Sequence, residues 1–133
     1  LPTGSGYQAA ILSQLVAQVH TIDRHAELVK QAQSAAEQLN LTNIQFHVGD
    51  GSLGIPQHAP YDAILITAAA PRIPRPLLSQ LKVGGRLILP VGARSHQTLE
   101  RWIKKSDDSF EHDQDIPVSF VPLVGEHGWS ESE

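Results

Sequence analysis

A chain of 133 residues with a hydrophobic share of 41% and a charged share of 18% has the balance of a globular protein, and its length suffices for one stable core, so a single domain over residues 1–133 is expected. The net charge is -4 and the ten lysines and arginines are scattered, which speaks against nucleic acid as a partner, because that affinity rests on basic residues neutralising phosphate. The absence of cysteine excludes disulfides, thiolate nucleophiles and zinc-thiolate sites, and no apolar run approaches the ~20 residues of a membrane helix, so a reducing, cytoplasmic setting without a membrane partner is expected.

In chain order, Thr3-Gly4-Ser5-Gly6 lies directly before a helix predicted over Tyr7 to Ala17. There Ile11, Leu12, Leu15 and Val16 recur at i, i+3, i+4 spacing and predict one buried face. Val19 to Asp23 is short and rich in branched residues and reads as a strand. His25 to Leu39 repeats the helical pattern with Leu28, Val29, Ala32, Ala35, Ala36 and Leu39, and Asn40 closes it. Ile44 to Val48 alternates with period two, a strand pattern. Ala63 to Ile66 and Leu87 to Leu89 are apolar without alternation, the pattern of strands covered on both faces in the middle of a sheet. Between them Pro74 to Leu81 predicts a short helix with both prolines in its first turn, and Gly84-Gly85 a turn into the next strand. Beyond Pro90, Gln97 to Ile103 and Ser119 to Leu123 predict antiparallel strands separated by a polar loop around Asp107-Asp108. Strand and helix alternating in this way imply a parallel α/β sheet with right-handed crossovers.

In open parallel sheets ligands sit at the carboxyl ends of strands, and the residues there form an ordered set. Thr3-Gly4-Ser5-Gly6 offers glycines that let backbone approach a ligand and free N–H groups at a helix start. Asp23 closes the next strand at the spacing where nucleoside-binding folds place an acid on ribose hydroxyls, and an ionised carboxylate is a pure acceptor for that diol. Asp50-Gly51 closes the following strand, placed to meet a base amino group. Thr67-Ala68-Ala69-Ala70 closes the buried strand with small side chains that leave room for a ligand. Taken singly, a Gly-Ser-Gly is more often a turn, and Asp23 or Asp50 more often a helix cap or solvated turn residue. Four such features in order at strand ends favour the binding reading.

Gly49-Asp50-Gly51-Ser52-Leu53-Gly54 satisfies G-x-G-x-x-G, but Pro56 and Pro60 prevent the helix that a pyrophosphate loop requires. The first loop lacks the third glycine of the dinucleotide fingerprint, and no G-x-S-x-G elbow supports a serine hydrolase. The histidines, among them His20, His25, His47 and His127, show no H-E-x-x-H pairing and read as surface or strand residues, with no metal expected.

The strings Thr3 to Ala10, Val48 to Gly54, Ala59 to Ile64, Thr67 to Pro71, Gly84 to Gly92 and Phe120-Val121-Pro122-Leu123 together resemble protein-L-isoaspartate O-methyltransferases over essentially the whole chain. The resemblance implies a Rossmann-like, doubly wound, mostly parallel sheet with antiparallel C-terminal strands, its first central strand truncated so that two strand edges are left unpaired. It implies an enzyme that moves a methyl group from S-adenosylmethionine to the α-carboxylate of L-isoaspartyl, and D-aspartyl, residues of damaged proteins, which are then its partners. It places Thr3, Gly4, Ser5 and Gly6 against the methionine part of the cofactor, and Asp23, with Arg24 beside it, on the ribose. Asp50 and Gly51 fall on the adenine, Thr67 and Ala68 line the pocket, and Val121, Pro122, Leu123 and Val124 bind the substrate peptide; no catalytic residue is singled out. The chain departs from the pattern at Pro2, where family members carry glycine, and a proline there fixes φ near about -65° and removes an N–H. The absence of methionine and the lack of the family's upstream substrate loop lead to the expectation of residues before Leu1, with this segment alone weak or inactive. The alternative is a non-catalytic remnant that binds S-adenosylhomocysteine or a partner chain.

Overall fold

The computed structural model describes residues 3–130, less the side chains of 114–116; Leu1 and Pro2, and with them the expected effect of Pro2, lie outside the described residues. Two compact units, Leu1–Gly51 and Ser52–Glu133, divide the chain.

In the first unit helix α1 (Tyr7–Ser13), strand β1 (Val19–Asp23), helix α2 (Ala26–Gln38) and strand β2 (Ile44–Val48) follow one another. β1 and β2 pair in parallel, from Val19 opposite Ile44 to Asp23 opposite Val48. A helix must cross over between parallel neighbours, and α2 does so, burying Val29, Ala32 and Ala36 along one stripe. It ends as the sequence suggests. Asn40 takes a φ of 57°, while Asn40 N donates to Glu37 O (3.1 Å) and Leu41 N to Ala36 O (3.0 Å), the pair of bonds of a Schellman end.

α1 differs from expectation. It stops at Ser13, short of Ala17, and the side chains it buries are Ala9 and Ser13, while Ile11, Leu15 and Val16 are exposed. Small residues one turn apart let a helix axis approach its neighbour closely, so the small face, not the large apolar one, turns inward. The Asn43 carboxamide takes over where the helix bonds stop, donating to Ser13 O (2.8 Å) and Val16 O (3.1 Å).

In the second unit strand β3 (Tyr61–Leu65), helix α3 (Arg75–Ser79), and strands β4 (Leu81–Gly92), β5 (Gln97–Ser106) and β6 (Ser109–Val118) form a sheet ordered β3-β4-β5-β6. β3 and β4 are parallel, and β4-β5 and β5-β6 antiparallel. Among the described residues the parallel ladders lie where strand and helix alternate and the antiparallel ones are confined to the C-terminal strands, so the fold is the expected Rossmann-like α/β arrangement with a mixed sheet. Among the described residues the strand orders leave one side of β1 and one side of β3 without a partner strand, the two edges expected. β3 is therefore an edge strand and not central, and Asp62 and Ala63 are exposed accordingly. α3 carries its prolines as predicted, Pro74 capping and Pro76 in the first turn.

Two further expectations are corrected. Gly84-Gly85 lies inside β4 rather than before it, and the register jumps there from Tyr61 opposite Leu81 to Ala63 opposite Arg86. A side chain at position 85 would stand 2.8 Å from Lys82 O and 2.9 Å from Tyr61 O, so this irregularity needs glycine. The last strand is Ser109–Val118, and 119–123 is not a strand, making one isolated bridge between Pro122 and Ala69. Pro122 has no N–H to continue a ladder, whereas the tight turn at Asp107-Asp108 folds the polar segment after it back onto β5.

The core of this unit is built from Ile64, Leu77, Leu81, Leu87, Leu89 and Leu123 among others. Outside it, the Gln80 carboxamide receives Ile55 N–H (3.0 Å) and donates to Leu53 O (2.9 Å), and the Tyr61 hydroxyl donates to Ile55 O (2.6 Å). Burial pushes the Tyr61 pKa above its ordinary 10.0. A folded-state pKa above the unfolded one means that this contribution is complete below pH 10.0 and is lost as pH rises through the folded value. Tyr61→Phe is expected to cost about 1 kcal/mol at neutral pH and to remove that part of the alkaline decline; urea titrations at neutral and alkaline pH check both.

Candidate functional site

The glycine loop and the acid at the end of β1 meet. Thr3 N donates to Ile22 O (3.2 Å), the Thr3 and Thr21 hydroxyls bond to each other (3.0 Å), and Gly4 N donates to Asp23 Oδ2 (3.2 Å). The other carboxylate oxygen, Oδ1, accepts His25 N–H (3.0 Å) at the start of α2. Asp23 thus ties the loop before α1 to the turn before α2. Each of its oxygens keeps a further lone pair, so the carboxylate still has acceptor capacity for a diol.

Backbone conformation explains the glycines. Gly4 and Gly6 have φ values of 49° and 86°, a region where other residues are strained. Among the described residues, Gly4's own chain neighbours aside, no atom lies within 4 Å of where a Gly4 side chain would begin, whereas at Gly6 that point is 2.9 Å from Ala32 Cβ. Gly6 is there to let α1 start against α2, and Gly4 leaves open space above the loop. Ser5 is exposed and Arg24, beside Asp23, is exposed as well.

Asp50 and Gly51 follow β2, both half-buried. The backbone here runs close to Ile22, whose side chain would lie 3.4 Å from a Cβ at Gly49 and 3.5 Å from one at Gly51. The structure thus brings Thr3, Gly4, Ser5, Gly6 and Asp23 together and sets Asp50-Gly51 at the end of the adjoining strand. Thr21, fully buried and bonded to Thr3, was not singled out from the sequence. Its signal is a hydroxyl two residues from Val19 on the same, buried side of the strand.

In the second unit the predicted residues form another connected group. Ala69 N donates to Val121 O (2.6 Å), Leu123 N to Ala69 O (2.7 Å), Ala70 N to Pro90 O (2.9 Å) and Gly92 N to Ala70 O (2.9 Å). The Thr67–Ala70 segment is therefore stitched between the end of β4 and residues 121–123. Thr67 is half-buried, and Ala68 packs into the core cluster, as does Leu123. Pro122 and Val124 are half-buried and Val121 is exposed. Trp129 N donates to Leu123 O (2.7 Å), with the Arg94 guanidinium 5.5 Å above its ring. The Trp129 indole N–H is buried and has no acceptor among the described residues.

No helix among the described residues is long and apolar enough to cross a membrane.

Comparison with known proteins places this arrangement. The family model for protein-L-isoaspartate(D-aspartate) O-methyltransferase matches residues 1–128. Protein-L-isoaspartate O-methyltransferase 1 of Geotalea uraniireducens is 51% identical over 128 residues, which are 96% of this chain and 58% of that relative. A solved protein-L-isoaspartate O-methyltransferase superposes with a TM-score of 0.88 at 30% identity, covering 96% of this chain and 41% of its own. A Plasmodium falciparum structure described as a beta-aspartate methyltransferase in complex with S-adenosyl-L-homocysteine shares the fold, with a TM-score of 0.73 at 23% identity over 92% of this chain and 62% of its own. The chain spans a little over half the length of the curated relatives it matches, and it belongs to the protein-L-isoaspartate(D-aspartate) O-methyltransferase family.

Proposed function

We propose that the chain supplies the S-adenosylmethionine-binding part of a protein repair methyltransferase acting on L-isoaspartyl and D-aspartyl residues, in the cytoplasm, and that over 58% of a relative's length it turns over weakly or not at all by itself. The observation that carries the reading is the Asp23 carboxylate, held by Gly4 and His25 N–H groups beneath a loop with open space at Gly4. A donor-held carboxylate with spare lone pairs suits a ribose diol, and unencumbered glycine backbone suits the amino-acid end of a nucleoside ligand.

In this reading Thr3, Gly4, Ser5 and Gly6 bind the methionine moiety, and Asp23 with Arg24 the ribose. Asp50 and Gly51 bind the adenine, and Thr67 and Ala68 border the pocket. The exposed Val121 and the backbone of Pro122, Leu123 and Val124 bind the substrate peptide, and the Trp129 N–H offers a donor to a peptide carbonyl. S-adenosylmethionine, when bound, supplies a sulfonium-activated methyl group. The acceptor carboxylate, with an ordinary pKa near about 4, is already ionised at neutral pH, so these residues need only align the two partners and exclude water, and no general base is required of them.

Calorimetric titration with S-adenosylhomocysteine tests the cofactor half. Binding is expected, and Asp23→Asn is expected to weaken it by roughly tenfold to a hundredfold, since hydrogen bonds to a charged group contribute about 1.5–3 kcal/mol. Equal affinity in the variant would remove Asp23 from the site. The substrate half is tested by methyl transfer to an isoaspartyl peptide in the protein extended to its relatives' length. Incorporation no higher than into the aspartyl form of the peptide would refute it.

A further inference from the structure

We propose that His20 and His47 form a binding site for a borderline divalent cation, Zn²⁺ first. The residues are 27 apart in sequence, but the parallel register that sets His20 opposite Gln45 and Ile22 opposite His47 puts both histidines on one face of the β1-β2 ladder. His20 Nδ1 and His47 Nε2 lie 3.2 Å apart, with ring centroids 5.5 Å apart and planes inclined by 33°.

Two nitrogens bound to one tetrahedral zinc at ~2.0–2.1 Å are themselves ~3.3 Å apart, so the separation already present is that of two corners of a zinc tetrahedron. In the metal-free pair one imidazole N–H points at the other ring's lone pair. A cation takes the place of that hydrogen, which moves to the far nitrogen of its own ring, so that His20 Nε2 and His47 Nδ1 carry the hydrogens and both near lone pairs face the metal. The two rings are half-buried, and the proposed site takes its remaining ligands from water. An all-imidazole set selects zinc, copper or nickel and disfavours magnesium and calcium, which take oxygen ligands. The strand backbones already fix both side chains, and a bound cation would cross-link β1 to β2 and stabilise the unit that carries the Gly4–Gly6 loop and Asp23. This inference stands apart from the methyltransferase reading.

Zn²⁺ alone is titrated by calorimetry into the chelator-stripped full chain. One equivalent is expected to bind in the micromolar range, with no heat from Mg²⁺. His20→Gln and His47→Gln should each weaken binding by about tenfold or more, while His25→Gln leaves it unchanged. Absence of binding, or binding unaltered in the two pair variants, would overturn the proposal. Should those variants fold poorly, ¹⁵N imidazole spectra of the unaltered protein decide. Zinc is expected to shift His20 Nδ1 and His47 Nε2, and shifts confined to other histidines would overturn the site.

Discussion

Leu87→Ala is expected to destabilise the second unit by about 2–5 kcal/mol, the range for truncating a fully enclosed leucine. Leu87 has no exposed surface and stands between Ile64 of β3 and Trp102 of β5 in the ladder. Its removal costs the transfer free energy of the lost carbons and leaves a cavity that two hydrogen-bonded neighbours hinder from closing. Domains are stable by only about 5–15 kcal/mol, so this one change removes a large share. Val83 on the same strand is 56% exposed, and Val83→Ala should shift stability by no more than about 0.5 kcal/mol. Both tryptophans, Trp102 and Trp129, lie in this unit, so urea unfolding followed by their fluorescence reads it selectively. A drop in midpoint with unchanged slope for Leu87→Ala, and neither change for Val83→Ala, is the expected result. Comparable midpoints for the two variants would mean that β4 is not packed as described. Because β4 ends in the Pro90 and Gly92 backbone that clamps Ala70, the same core holds the Thr67–Ala70 segment in place.

Much of this architecture is legible in the sequence wherever side-chain pattern and backbone demand coincide. β1 follows from its branched residues and α2 and β2 from period, and Asn40 marks the end of α2 because it tolerates the left-handed conformation found there. Asp23 is legible as an acid closing a strand, but its N–H donors, Gly4 and His25, are not, since they depend on how two turns converge. Ser109–Val118 alternates Phe110, Ile116 and Val118 with Glu111, Asp113 and Asp115, but the polar His112 and Gln114 in its middle blur that pattern, and the turn at Asp107-Asp108 delivers it to β5. The apolar run of β3 reads as a strand covered on both faces, yet its position at an edge is decided by which strands stand beside it. α1 misleads for a related reason. Its large residues Ile11 and Leu15 outweigh Ala9 and Ser13 in any hydrophobic pattern, although close approach rewards the small pair. The His20-His47 pair is invisible to a search for linear motifs, because register alone creates it.

Gly6→Ala is the second substitution expected to act strongly, by about 2–5 kcal/mol. At a φ of 86° an L-residue pays about 1–2 kcal/mol for the left-handed conformation. A methyl group 2.9 Å from Ala32 Cβ adds overpacking of about 1–3 kcal/mol. A double-mutant cycle separates the two. Ala32→Gly alone should cost about 1 kcal/mol as a glycine inside a helix, but in the Gly6→Ala background it removes the clash and leaves only the backbone strain. The double variant is therefore expected to be less destabilised than the sum of the single changes, with the difference measuring the contact. Since no tryptophan lies in the first unit, helix loss by far-UV circular dichroism is the appropriate readout. Simple additivity would show that α1 does not start against Ala32. In that case the close packing assigned to Gly6 would be wrong, and the requirement for glycine in this loop would rest on backbone conformation alone.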